Sequence, residues 1–361
     1  MDIVDRIVEE WDKKAGDMLD GAEAEIKRLW GKARSRVPGG KPSGESQQTI
    51  TLEARPEDTK VLYTRVLALQ ALVDGRLDPR EIEYLYVFMS RVGLSSDSRE
   101  EVRRSMQAED VSIGDVVKLV DEVASSVPDN QDEIAVSIIK DLLQISRSDG
   151  AVLPQEEASM QAVAEVRFGE RAERVIELAE KTVKYEEALV NGNVSTGELE
   201  RHVKEIAACA TAASVPITAL FFSGSVMGLS AAGITSGLAA LGLGGVLGLS
   251  AMVTGIGVVV VIGVTAYAAA RWAMGGKNRE LKKQREHMIQ EIIRRHQGAI
   301  ENLAEDQNTI AMKLAEYVSK SDQNEAKLAR LKAELQMFTA ALAEVQQKKG
   351  DLESLSEQHA V

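Results

Sequence analysis

The chain has 361 residues, 44% of them apolar and 27% charged, with a net charge of −13, and that length corresponds to two or three domains. Aromatic residues make up 4% and prolines number seven, a mix that favours helices over sandwiches, barrels and aromatic nucleic-acid platforms. A single cysteine, Cys209, excludes an internal disulfide or a cysteine-built zinc site, and the acidic balance argues against nucleic acid as a partner.

Charge is distributed unevenly. Residues 1–55 carry 10 basic and 11 acidic side chains, 56–205 carry 18 and 31, 206–270 carry none, and 271–361 carry 15 and 14. The acidity therefore belongs to one block, which a 65-residue uncharged stretch follows. The start of the chain lacks the basic-then-apolar order of a secretory signal, so the N-terminal region is expected to face the cytoplasm. Ile3, Ile7, Trp11, Met18, Ala22, Ile26 and Trp30 recur at helical spacing and predict an amphipathic helix over residues 1–35. Its acidic polar face favours docking on protein over lying in a lipid interface. The Gly-, Pro- and Ser-rich run that follows predicts a flexible linker over 36–55.

Within the acidic block, 56–205, Asp74-Gly75-Arg76-Leu77-Asp78-Pro79-Arg80-Glu81 returns 75 residues later as Asp149-Gly150-Ala151-Val152-Leu153-Pro154-Gln155-Glu156. Apolar helical stretches precede each copy (Val61 to Val73 and Ile134 to Ile145), and Ile82 to Val92 and Ala158 to Val166 follow. Each copy predicts a helix–turn–helix corner. Gly supplies a left-handed conformation, Pro opens the next helix, and Glu in its first turn favours the helix dipole.

An apolar helix, then Asp-Gly-x-aliphatic, then Glu at the start of the next helix resembles the tellurite-resistance TerB-like family, over about residues 56–190. The resemblance implies an all-α domain with pseudo-twofold corners, in a family linked to membrane-associated stress and defence systems. It also implies that any divalent cation held by acidic residues would fall to Asp74, Glu81, Asp149 and Glu156; no other cofactor is indicated. Ser146 departs from the Ala that the family prefers before its corner. An EF-hand is excluded, because the alternate positions ahead of Gly150 hold Ile145, Arg147 and Asp149 in place of regular oxygen ligands. The alternative for the four acids is plain helix capping.

The uncharged stretch predicts a glycine-rich membrane hairpin over 206–274. Roughly 20 apolar residues suffice to cross a bilayer core, and each charge at its centre is disfavoured by about 2.5–3.5 kcal/mol. Three Gly-x-x-x-Gly pairs, Gly224 with Gly228, Gly233 with Gly237 and Gly244 with Gly248, permit close helix packing. A turn at residues 242–245 gives helices from Pro216 to Leu241 and from Val246 to Trp272, each about 40 Å long at 1.5 Å per residue. Tyr267 and Trp272 suit an aromatic belt. Arg271, Lys277, Arg279, Lys282 and Lys283 form a basic flank that the positive-inside tendency places in the cytoplasm. Two cytoplasmic flanks require an even number of crossings. The alternative is a hairpin concealed in a cytoplasmic protein until it is triggered to insert.

Over 275–361 apolar residues follow heptads, with Ile293, Ile300, Leu314, Leu328, Leu335 and Leu342 in one register. Ile289, Leu303, Ile310, Tyr317, Leu331, Phe338, Val345 and Leu352 occupy the other. This predicts a coiled coil or a long helical hairpin bending near residues 319–324, in self-association or folded onto the chain's other helices. The four histidines are scattered, and no phosphate loop, nucleophile elbow, zinc-protease motif or dinucleotide fingerprint occurs. The chain therefore reads as an all-α non-enzyme with no assignable catalytic residue. The expected function is a membrane-anchored protein whose acidic block recruits or senses a protein partner in envelope stress or defence, with the coiled coil as a route to a homo-oligomer. The alternatives are an α-helical pore-forming effector and a soluble coiled-coil scaffold.

Overall fold

A computed structural model of the chain describes residues 51–191, 196–215, 219–220, 277–319 and 325–360. The expected N-terminal helix lies outside the described residues. So do the six zipper glycines, Arg271, Tyr267 and Trp272 of the expected membrane hairpin. Among the described residues every regular element is helical, and no helix is long and apolar enough to cross a membrane.

The folded body starts earlier than the composition suggests. Leu52 lies in a 3-10 turn, Leu52–Ala54, and is fully buried, and Arg55 donates to Asn130 Oδ1 at 2.7 Å. The last residues of the expected linker are thus part of the core, because one leucine at the edge of a polar run suffices to dock it.

Eight helices follow: α1 Glu57–Gln70, α2 Pro79–Val92, α3 Ser96–Met106, α4 Ile113–Ser125, α5 Gln131–Ser146, α6 Pro154–Phe168, α7 Ala172–Asn191 and α8 Thr196–Ala213. Two long ones complete the described fold, α9 Lys277–Ser319 and α10 Glu325–Ala360. At 1.5 Å per residue these two run about 65 and 54 Å. Lys277, Arg279, Lys282 and Lys283 of the expected basic flank fall in the first turns of α9.

The helices α2 and α5 are buried along most of their length and form the centre. α1 packs on α3, α4, α5 and α2, while α7 packs on α5, α6 and α8. α9 and α10 lie along one another and both rest on α2. This explains why α2 buries residues all round its surface, including Glu83 and Arg91: a helix covered on every side keeps no polar face. Fully buried Tyr63 stacks on Phe88 with ring centroids 5.4 Å apart, and Tyr86 meets Phe338 of α10 edge-on at 5.6 Å.

Two boundaries shift from the sequence reading. The uncharged stretch begins inside α8, whose Ile206, Cys209, Ala210 and Ala213 are buried, and Val215, Ala219 and Leu220 are buried beyond it. Described residues on both sides of the expected boundary at 205/206 are thus part of the same helical body. In the C-terminal arm the described helices end at Ser319 and resume at Glu325, and both pack against the chain's own body. Its second register supplies the contacts: Ile289, Leu303, Ile310, Phe338 and Val345 are buried, whereas Ile293, Ile300 and Leu335 are half-buried.

Candidate functional site

The two acidic corners have the local geometry their sequences prescribe. Gly75 and Gly150 adopt φ of +85° and +105°, a region where a Cβ would be strained. Gly75 lies five residues beyond α1 and Gly150 four beyond α5, in turns closed by Gly75 N–H donating to Leu72 O (2.8 Å) and Gly150 N–H to Arg147 O (3.1 Å). Asp74 Oδ1 accepts from Arg76 N–H at 2.9 Å, and Asp149 Oδ1 accepts from Ala151 N–H at 3.2 Å. Pro then opens α2 and α6. Glu81 Oε2 turns back to accept from Asp78 N–H at 2.8 Å, and Glu156 Oε2 accepts from Leu153 N–H at 2.7 Å. Both glutamates are buried N3 residues that satisfy orphan backbone donors.

The corners face each other. Gln70 Nε2 donates to Ser146 Oγ and to Glu156 O, both at 3.1 Å. Ser146 is therefore the polar link between the two repeats, while Ala71 holds the matching position of the first. A Cβ added at Gly150 would lie 3.9 Å from Arg80 Nη1. Burial, with the nearby charges of Glu156, Asp74 and Asp149, pushes Glu81 up to about 9. Glu156 is raised as well, chiefly by burial and further by Asp149 and Asp74. At its value of about 9, Glu81 holds its proton at neutral pH.

The divalent-cation site expected at Asp74, Glu81, Asp149 and Glu156 is not assembled. Among the described residues no group of three or more His, Cys, Asp or Glu side chains is placed to hold a metal ion. One oxygen of each of the four carboxyls accepts instead from the backbone of its own corner.

A second constellation, invisible to motif reading, joins the C-terminal arm to the body. Asp306 of α9 is buried, and its Oδ2 accepts from Tyr86 Oη at 2.6 Å and from Arg99 Nε at 3.1 Å. Its Oδ1 accepts from Arg99 Nη2 at 3.2 Å and lies 3.3 Å from Arg103 Nη1. Arg99 Nη2 also donates to Glu305 at 2.5 Å. Burial and Asp306 raise the Tyr86 phenol well above its ordinary value, so it remains a donor. One turn of α2 away, buried Glu83 receives Lys348 of α10 and lies 3.5 Å from His296 Nε2 of α9. Despite its burial, these contacts hold the Glu83 carboxyl below its ordinary value. Where α9 crosses α2, a Cβ on Gly298 would lie 2.3 Å from Ser90 Oγ, so only glycine fits there without movement.

A third cluster fills the centre of the body. Fully buried Lys140 has its Nζ 3.7 Å from Asp141 Oδ1 and 3.7 Å from Glu186 Oε1. Tyr63 Oη donates to Asp141 Oδ2 at 2.8 Å, and Gln144 Nε2 donates to Glu186 Oε2 at 2.8 Å. With Arg91 Nη2 4.0 Å from Asp141 Oδ2, two cations face two anions. The sequence signal was present, since Lys140-Asp141 interrupts an otherwise apolar helix, but nothing in its spacing names the partners.

Comparison with known proteins fits this geometry. Residues 62–173 match the family model described as tellurite resistance protein TerB, about three-tenths of the chain. No curated protein and no solved structure matches the chain. The match runs from within α1 to the start of α7 and contains both corners but neither the arm nor the uncharged stretch. Residues 62–173 are a TerB-like domain.

Proposed function

We propose that the chain is a membrane-anchored helical protein in which the TerB-like domain recruits or senses a protein partner, in envelope stress or defence. The TerB match supports a function related to tellurite resistance in the broad sense. Membrane anchoring rests on the 65 uncharged residues, 206–270, because roughly 20 suffice for one crossing. The observation that carries the reading is where the two ends of that stretch lie. Ile206, Cys209, Ala210, Ala213, Val215, Ala219 and Leu220 at its start are buried in the helical body, and the arm after it returns to the same body through Asp306 and Glu83. Entry and exit on one body support an even number of crossings, hence a hairpin with both flanks on the cytoplasmic side. The acidic surface of residues 56–205, net −13, suits a basic partner surface.

Carbonate extraction of membranes from expressing cells tests the anchor. We expect the full chain to stay in the pellet. Recovery in the supernatant refutes a constitutive anchor, and leakage of liposomes by that soluble form would identify a triggered pore-former instead.

A further inference from the structure

Between the TerB-like domain and the arm lies an open groove of about 650 Å³, within the size range of small-ligand sites. Five cationic side chains converge on it from three helices: Arg103 and Arg104 of α3, Lys313 of α9, and Lys327 and Arg330 of α10. Three carboxyls, Glu100, Glu109 and Glu334, share the lining, which leaves a net positive site in a chain of net −13.

We propose that this groove binds a polyphosphate group, so that the ligand bridges the TerB-like domain and the C-terminal arm. Buried Arg103 forms a fixed base, since Asp306 Oδ1 holds its Nη1 at 3.3 Å. The other four cations stand at an exposed rim. Lys327 lies over the Tyr317 ring at 4.9 Å, and the other three hold exchangeable ion pairs. Glu100 takes Lys313 at 2.9 Å and Arg104 at 3.5 Å, and exposed Glu109 takes Arg330. Exposed pairs of this kind contribute little and are screened by salt. Phosphate oxygens offer the same guanidinium and ammonium groups several charge-assisted contacts from one pre-connected anion. Burial raises the Glu334 carboxyl above its ordinary value, against the lowering pull of Arg103, Lys313 and Arg330. The spread of cations over three helices selects a chain of phosphates over a single one. The groove's size leaves both free polyphosphate and the triphosphate of a nucleotide as sources.

Titration calorimetry of the full chain with sodium tripolyphosphate, and separately with ATP, at constant ionic strength tests this. Wild type should bind tripolyphosphate, and the exposed double variant Lys327→Gln/Arg330→Gln should bind at least about tenfold more weakly, the scale of one lost charge-assisted contact. Arg294→Gln, an exposed change on α9 outside the groove, should bind as wild type. Equal affinity for both ligands assigns the site to the phosphate chain, and tighter ATP binding assigns it to a nucleotide. No binding, an unchanged double variant, or an equal loss in Arg294→Gln overturns the proposal.

Discussion

Glu81 offers the sharpest test of how the acidic corners work, through the substitution Glu81→Gln. In the folded chain, burial and the neighbouring carboxyls push its carboxyl up to about 9, against an ordinary 4.5. Because the folded value is the higher one, the native state binds more protons than the unfolded state between those limits. Its stability is therefore full below about pH 4.5, declines as pH rises through the window, and levels off above about pH 9. At about pH 7.5 the solution is roughly three units above the unfolded value, which caps the cost near 4 kcal/mol at about 1.36 kcal/mol per unit. Asp74 and Asp149 are half-exposed and return part of that by turning toward water, so we expect about 2 kcal/mol. Glutamine keeps an oxygen to accept from Asp78 N–H and has no proton to lose. Glu81→Gln should thus stabilise the protein by about 2 kcal/mol near pH 7.5 and be almost neutral near pH 4.5. Urea unfolding followed by circular dichroism at the two pH values measures both. A loss of stability near pH 7.5 would refute the reasoning, because it would mean that the site needs an anion there.

Asp306→Ala leaves Arg99 and Arg103 in a buried interface without their shared acceptor, and should weaken arm docking by about 3–5 kcal/mol. Amide hydrogen exchange should then accelerate in α2 and α9 while α5 and α7 stay protected; unchanged protection would show that other contacts hold the arm. Gly298→Ala should destabilise the wild-type chain, since its Cβ meets Ser90 Oγ at 2.3 Å. Beside Ser90→Ala the same change should instead gain up to about 1 kcal/mol of helix propensity. Thermal melts of both singles and the double measure that coupling, and strict additivity would contradict a close crossing.

The repeated corners were legible because turn chemistry is local. Gly at positive φ, Pro at the first helical position and Glu at the third are each dictated by neighbours within a few residues, and all fall as the sequence implies. In the arm, Ile289, Leu303, Ile310, Phe338 and Val345 of one heptad register are buried. What remained hidden is non-local. Asp306 sits beside Glu305 and Gln307, a polar break in a heptad that resembles a solvated face, until Arg99 and Arg103 arrive from more than 200 positions away. Glu83 stands on a helix of mixed polarity, and nothing near it in sequence announces that α9 and α10 will cover that side. Four acids at matching offsets do not by themselves fix a metal site: among the described residues they are not grouped to hold one, and one oxygen of each is bonded to its own corner's backbone.

The buried charges on α2, α3 and α9 are better understood as a register device than as a source of stability. Apolar heptads tolerate sliding by seven residues, since one aliphatic side chain replaces another in much the same place. A seven-residue slip of α9 in one direction would set Lys313 where Asp306 now meets Arg99 and Arg103, placing three cations together. A slip in the other direction would set Ala299 there and strand both arginines without an acceptor. Leaving a buried charge uncompensated costs more than a well-made pair contributes, so the penalty falls on the wrong alignments. Only one alignment also puts Gly298 at the crossing with Ser90, whose Oγ a Cβ there would crowd. Leu303 and Ile310 thus supply adhesion, while Asp306 and Gly298 decide where along α2 the arm comes to rest. Loosened protection throughout α9 in Asp306→Ala, as opposed to fraying at its ends alone, is the signature this assignment requires.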